Sequence, residues 1–279
     1  MLKLIDGKQL AQKRREEIRQ TVEQLKSRGI VPGLAVILVG EDPASQVYVR
    51  NKEKACQEVG FYSEVYRLPE TTSQEELLQL IDDLNRNDAI HGLLVQLPVP
   101  AHIDEKAVIH AISPKKDVDG FLPQNLGSLL IGEPAFEPCT PKGCIDLIKQ
   151  TGVDIAGKKA VVVGRSNIVG KPVAMMLLRE NATVTICHSK TKNLKEELLS
   201  ADIVVAAVGK SNFITGDMIK DGAIVIDVGM NRLENGKLTG DVDRASLEDR
   251  DCWLTPVPGG VGPMTITMLM KNTLESAMR

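Results

Sequence analysis

The stretch AVVVGRSNIVGKPVAMML, Ala160 to Leu177, decides the reading of this chain. Ala160 to Val163 are apolar and predict a buried strand, which Gly164 ends. Arg165, Ser166 and Asn167 then make a polar turn, and Gly170 and Pro172 open an apolar, helix-like run. Strand, glycine turn and helix start together form an anion cradle, because backbone N–H groups and the helix dipole point at one spot. The usual dinucleotide fingerprint is G-x-G-x-x-G, and Ser166 stands where its second glycine belongs. A ligand-free turn of a flavodoxin-like sheet is the alternative.

The neighbouring segments bear on that choice. A strand predicted at Thr183–Cys187 runs into His188, Ser189 and Lys190. NAD-selective sites place an Asp or Glu there to accept from the ribose 2′-OH. None is present. Arg165, His188, Ser189 and Lys190 suit a 2′-phosphate instead, through charge-assisted bonds of roughly 1.5–3 kcal/mol each. This points to NADP. Further strands predicted at Ile203–Ala207 and Ala223–Val228 complete a Rossmann-like domain over residues 140–260.

Toward the N-terminus the text reads β-α-β-α-β. A short strand is predicted at Leu2–Ile5, and Asp6 is placed to cap a helix carrying Leu10, Ile18, Val22 and Leu25. Leu34–Val39 follows as a strand. Asp42 and Pro43 give a cap and a first-turn proline for a helix that stops at Gly60. Tyr62–Leu68 alternates as a strand, Ser73 and Glu76 form a capping box, and Gly92–Val95 is a last short strand. The expectation is an open α/β domain over residues 1–120. Ala111 to Pro141 reads as irregular and holds the domain boundary. Residues 264–279 are expected to form a helix that returns to the first domain after the glycine-rich hinge PVPGGVGP.

Bulk composition narrows the function. The 279 residues carry a net charge of −3, which gives no electrostatic reason to expect nucleic acid or a membrane surface as partner. The five cysteines are odd in number and lack metal-ligand spacing, so no metal site is expected, and reduced thiols fit a cytoplasmic setting. No secretory or transmembrane segment is evident. Glu16, Glu17 and Glu23 argue against a transit peptide in the basic first thirty residues.

Several residues outside the glycine stretch carry chemistry. Tyr48 and Lys52 are four apart on a predicted helix and so share a face. A half-buried tyrosine beside a solvent-facing lysine is the plain alternative. Gln96 follows a strand, where open α/β sheets bind ligands. Asp117 and Asp119 flank Val118 before Gly120, and an exposed acidic turn is the plain reading for at least one of them. The glycines of PGGVGPMT permit close approach to a flat ligand.

In this order, YVRNK, GLLVQLPVP, PKKDVDGF, PCTPKG, VVVGRSNIVGKP, ATVTICHSKT, VIDVGMN, GDVD and TPVPGGVGPMT resemble the bifunctional methylenetetrahydrofolate dehydrogenase/cyclohydrolase family. The resemblance spans nearly the whole chain. It implies an α/β fold of two domains, a folate-binding N-terminal one and a Rossmann-like NADP domain, with a cleft between them, and a homodimer. It further implies oxidation of 5,10-methylenetetrahydrofolate with NADP, then hydrolysis to 10-formyltetrahydrofolate. On that resemblance Lys52 is the candidate proton carrier, Gln96 holds it, Tyr48 stacks on the aminobenzoyl ring and Asp119 accepts from the pterin. Pro258, Gly259 and Gly262 line the substrate. Gly164, Arg165, Ser166, Ser189 and Met230 match cofactor-contacting positions. Two other readings stay open: a two-domain NADP dehydrogenase of a small hydroxy or amino acid, and a non-catalytic dinucleotide sensor.

Overall fold

The structure, a computed structural model, describes residues 1–279. In chain order its elements are β1 (Lys3–Leu4), α1 (Gly7–Lys26), β2 (Gly33–Val39), α2 (Pro43–Val59), β3 (Tyr62–Leu68), α3 (Gln74–Arg86), β4 (Gly92–Val95), α4 (Glu105–Ala111), α5 (Pro123–Ile131), α6 (Cys139–Gln150), β5 (Lys159–Val163), α7 (Gly170–Arg179), β6 (Thr183–Cys187), α8 (Leu194–Leu199), β7 (Ile203–Ala206), β8 (Ile224–Asp227), β9 (Asn231–Arg232), β10 (Leu238–Thr239), β11 (Trp253–Leu254) and α9 (Val261–Ala277). They fall into two compact units. One comprises Lys13–Ser128, Pro134–Cys139 and Ile266–Arg279; the other comprises Met1–Gln12, Leu129–Glu133 and Thr140–Thr265.

The first unit is built on a three-stranded parallel sheet of order β3-β2-β4. Every residue of central β2 is buried, which is why GLAVILV is a continuous apolar run and not an alternating one. Helix α2 starts where the Asp42 carboxylate accepts from Ser45 N at 2.7 Å, and it ends at Gly60 in the left-handed conformation. Helix α3 carries the reciprocal capping box between Ser73 and Glu76. Its inner face packs Leu77, Ile81 and Leu84 with Ile37, Leu93 and Val95. Each such side chain contributes roughly 1.5–3 kcal/mol on burial.

The second unit holds a six-stranded sheet of order β1-β11-β8-β7-β5-β6, parallel throughout. Its core combines Val161, Val163, Val204, Ala206 and Val225 with Leu198, Ile219 and Leu247. β9 and β10 form a small antiparallel pair beside it in sequence.

Three expectations need correction. The strand at the N-terminus does not join the first sheet. β1 pairs in parallel with β11, Lys3 opposite Trp253 and Leu4 opposite Leu254, so Met1–Gln12 group with the second unit and not with a domain running from residue 1. A two-residue strand carries no pattern that names its partner. The stretch from Ala111 to Pro141 is not wholly irregular, because Pro123–Ile131 is helical. Pro123 sits at its first turn, and Asn125 and Gly127, poor helix formers, mask the apolar spacing. PVPGGVGP is not only a hinge either: α9 begins inside it at Val261, with Pro263 in the first turn, where its missing N–H costs nothing.

The capping box gives a direct check. Ser73→Ala is expected to destabilise the protein by about 1 kcal/mol, read as a lower urea midpoint with an unchanged slope.

Candidate functional site

In the first unit the end of β4 and the middle of α2 meet. Lys52 Nζ donates to Gln96 Oε1 at 3.0 Å. Gln96 is itself fixed twice: its backbone N–H donates to Ile37 O at 2.8 Å, and its side-chain Nε2 donates to Leu97 O at 2.8 Å. With Nε2 committed to a carbonyl, the oxygen must face the lysine. The acceptor on Lys52 is therefore a neutral amide, not a carboxylate, and the ammonium keeps its remaining donors for a ligand. Tyr48 lies one turn earlier on the same face of α2 and is 39% exposed.

The loop Asp117–Gly120 departs from the sequence reading. Asp117 is not part of an exposed acidic turn; it is 3% exposed. Its carboxylate accepts from Phe121 N (3.2 Å), Leu122 N (2.8 Å) and Asn125 Nδ2 (2.7 Å), and Asn125 Oδ1 accepts from Phe136 N. Burial pushes Asp117 up to about 6, against those three donors, which favour the charged form. From the other side, Asn272 Nδ2 on α9 donates to Val118 O at 2.8 Å and to Glu137 O at 2.9 Å. Asp119, held between these anchors, is half-buried.

In the second unit, a cavity of about 360 Å³ opens at the carboxyl ends of β5, β6 and β7. Its lining includes Gly164, Arg165, Ser166, His188, Ser189 and Lys210, with no carboxylate. Gly164 has φ +129°, and a Cβ there would stand 2.1 Å from Ala207 O, so only glycine fits. Ser166 has a role the fingerprint reading did not give it. Its Oγ accepts from Val169 N (3.1 Å) and Gly170 N (3.3 Å), closing the turn that leads into α7. Two N–H groups counted toward the anion cradle are thus already partnered, and the hydroxyl hydrogen remains to donate. A rim with two cations, two hydroxyls and an imidazole suits a phosphate-bearing ligand.

Not every expected residue joins that cavity. Lys190 is exposed and outside its lining; its backbone N–H donates to His188 Nδ1 at 3.1 Å. Met230 is outside it too, with its Cε 3.4 Å from where a Cβ on Gly262 would stand. Pro258 is exposed, Gly259 is buried against the Lys8 side chain, and Gly262 lies in the first turn of α9. Lys210 and Phe213 do line the cavity, the ammonium 5.6 Å from the ring centroid, and sequence reasoning missed both. Their signal was position: they follow β7, the neighbour of β5.

Comparison with known proteins settles the family. Residues 5–119 match the catalytic domain of tetrahydrofolate dehydrogenase/cyclohydrolase, and residues 138–279 match its NAD(P)-binding domain. The chain belongs to the tetrahydrofolate dehydrogenase/cyclohydrolase family. It is 64% identical over 276 residues to the bifunctional protein FolD of Moorella thermoacetica, covering 99% of each chain. Its fold superposes on the FolD methylenetetrahydrofolate dehydrogenase/cyclohydrolase of Campylobacter jejuni with a TM-score of 0.97, at 51% identity and covering 100% of this chain and 99% of that one. The Trypanosoma brucei dehydrogenase-cyclohydrolase, solved with NADP and an inhibitor, gives a TM-score of 0.94 at 41% identity, covering 99% and 97%. The protein is a two-domain α/β enzyme of folate one-carbon metabolism, a dehydrogenase and a cyclohydrolase in one chain. A hydroxy- or amino-acid dehydrogenase and a non-catalytic sensor are not favoured. No helix of this family member is long and apolar enough to cross a membrane.

The buried Asp117 has a measurable consequence. Its folded pKa is raised from 3.8 to about 6, so between those values the folded chain holds a proton that the unfolded chain has lost. Its contribution is present below about pH 4 and is lost as pH rises through about 6, a fall of up to about 3 kcal/mol. Urea unfolding across that window is expected to show a shallower pH dependence in Asp117→Asn than in the wild type.

Proposed function

We propose that the enzyme oxidises 5,10-methylenetetrahydrofolate with NADP and hydrolyses the resulting methenyl cation to 10-formyltetrahydrofolate, with Lys52 managing protons in the second reaction. The observation that carries this is the Lys52–Gln96 hydrogen bond at 3.0 Å. Water adding to the methenyl carbon must give up both protons to become the formyl oxygen: one passes to the ring nitrogen that departs when the C–N bond breaks, and the other leaves to solvent. One nitrogen-centred group beside both atoms serves both transfers. A carboxylate partner would hold the ammonium in place as an ion pair; the amide of Gln96 orients it without that penalty.

The remaining roles follow the chemistry of each side chain. Tyr48, exposed one turn from Lys52, offers an aromatic face to the aminobenzoyl ring. Asp119 offers carboxylate oxygens to the amino and ring N–H donors of a pterin. Pro258, Gly259 and Gly262 are assigned to the substrate, and Met230 to the cofactor, on resemblance. When bound, NADP supplies the hydride acceptor. Hydride loss from an aminal carbon is driven by the flanking nitrogens, so the protein's task there is to position and not to deprotonate. Gly164, Arg165, Ser166 and Ser189 would hold the cofactor, with Arg165 pairing the 2′-phosphate. A homodimer in the cytoplasm completes the proposal. Five buried cysteine thiols suit a reducing compartment.

Lys52→Met is expected to lower the hydrolysis of methenyltetrahydrofolate by roughly 10²–10⁴ and to affect hydride transfer less, both followed by absorbance. Wild-type hydrolysis in that variant would remove Lys52 from the role. Arg165→Ala is expected to reduce the kcat/KM preference for NADP over NAD by about 10–100-fold. An unchanged cofactor ratio would exclude Arg165 as its source.

A further inference from the structure

The residues GDVD, Gly240 to Asp243, have no part in the chemistry above, yet they hold a fully buried carboxylate. Asp241 is 0% exposed and accepts four hydrogen bonds. Its Oδ2 takes Val208 N at 2.6 Å and Gly209 N at 2.9 Å. Its Oδ1 takes Lys210 N at 2.9 Å and Asn231 Nδ2 at 3.0 Å. Three successive backbone N–H groups curled toward one point make an anion nest, and the chain fills this one with its own side chain.

A second buried carboxylate sets Asp241 in place. Asp227, at the end of β8, accepts from Asp241 N and Gly229 N through Oδ1 and from Val242 N through Oδ2, each at 2.9 Å. The packing leaves no slack. A Cβ on Gly240 would stand 1.8 Å from Asp227 Oδ2, and one on Gly229 would stand 2.3 Å from Asp241 Oδ1.

The donors on Asp241 are not scattered through the core. Val208 and Lys210 line the cavity assigned to NADP. Downstream, Asn212 N and Ile214 N donate to Gly240 O and Asp241 O, bracketing Phe213 in the same wall. Asn231 and Gly229 flank Met230, one tied to each carboxylate. We propose that Asp241 is a positioning residue for the dehydrogenase: by filling the nest at Val208–Lys210 it sets the wall of the cofactor cavity before the cofactor arrives. Glycine and turn residues alone would leave three N–H groups facing a buried space with no acceptor, which is costly. The proposal rests on the cavity being the NADP site.

Asp241→Asn keeps the shape and places an amide NH₂ against backbone donors, so at least one contact becomes donor to donor. The expected result is a rise in KM for NADP of about tenfold or more, with kcat at saturating cofactor within about threefold. Hydrolysis of methenyltetrahydrofolate without cofactor should stay within about twofold. An unchanged KM overturns the proposal. So does a parallel loss of both activities, because a merely structural role would move both. Arg165→Ala serves as the control for the site itself. If neither variant changes NADP affinity, the cavity assignment falls and takes the proposal with it; if only Arg165→Ala does, the positioning role alone is wrong. Should Asp241→Asn fail to fold, hydrogen exchange of the wild-type enzyme decides. Slow exchange of the Val208, Gly209 and Lys210 amides without NADP is expected, and rapid exchange that slows only on adding NADP would overturn the proposal.

Discussion

Burial of the parallel strands on both faces constrains where this molecule can keep polar chemistry. β2, β4, β7 and β8 are buried at every residue, and β5 at all but its first. Polar groups cannot sit along such strands without losing their water. They collect at the carboxyl ends, where the ladders stop and loops begin. Gln96 follows β4, Gly164 follows β5, His188 follows β6, Val208 lies just past β7 and Asp227 closes β8. Gln96 and most cofactor candidates of the second unit sit at those exits, and Lys52 reaches Gln96 from α2.

The polar groups differ in how they are balanced, and the difference matches their tasks. Asp117, Asp227 and Asp241 are buried carboxylates whose oxygens are taken up mainly by backbone N–H groups. Burial drives Asp117 and Asp227 up to about 6, and the N–H donors pull the other way. Such groups hold loops. Lys52 is half-buried, bound to a single neutral oxygen, and keeps donors in reserve. Asp119, two residues from Asp117, is half-buried and not enclosed. The holders are saturated and the candidate reactive groups are not.

Several signals were legible where one short segment contained both partners of an interaction. Asp42 with Ser45, Ser73 with Glu76, and the glycine after α2 each work within a few residues, and each was visible in the text. So were the apolar strands of the Rossmann-like sheet, since a strand buried on both faces is a continuous apolar run. The helix Pro123–Ile131 was not, because its start depends on Asp117, which takes the N–H groups of Phe121 and Leu122. The partner strand of Lys3–Leu4 was not legible either. Choosing it means bringing together segments about 250 residues apart.

Fold class, the two-domain plan and, through QLPVP, KDVDG and GRSNIVGKP in that order, the family are legible in the chain alone. Those features live in composition, periodicity and residue order, which need no coordinates. Packing in three dimensions sets which distant groups face one another. It bonded Lys52 to an amide oxygen 44 positions away and buried Asp117 while leaving Asp119 half-buried. It also set the Asp241 carboxylate against three amides about thirty positions earlier in the chain. Hydrogen bonds and desolvation depend on distances of a few ångströms, and separation along the chain carries no record of them.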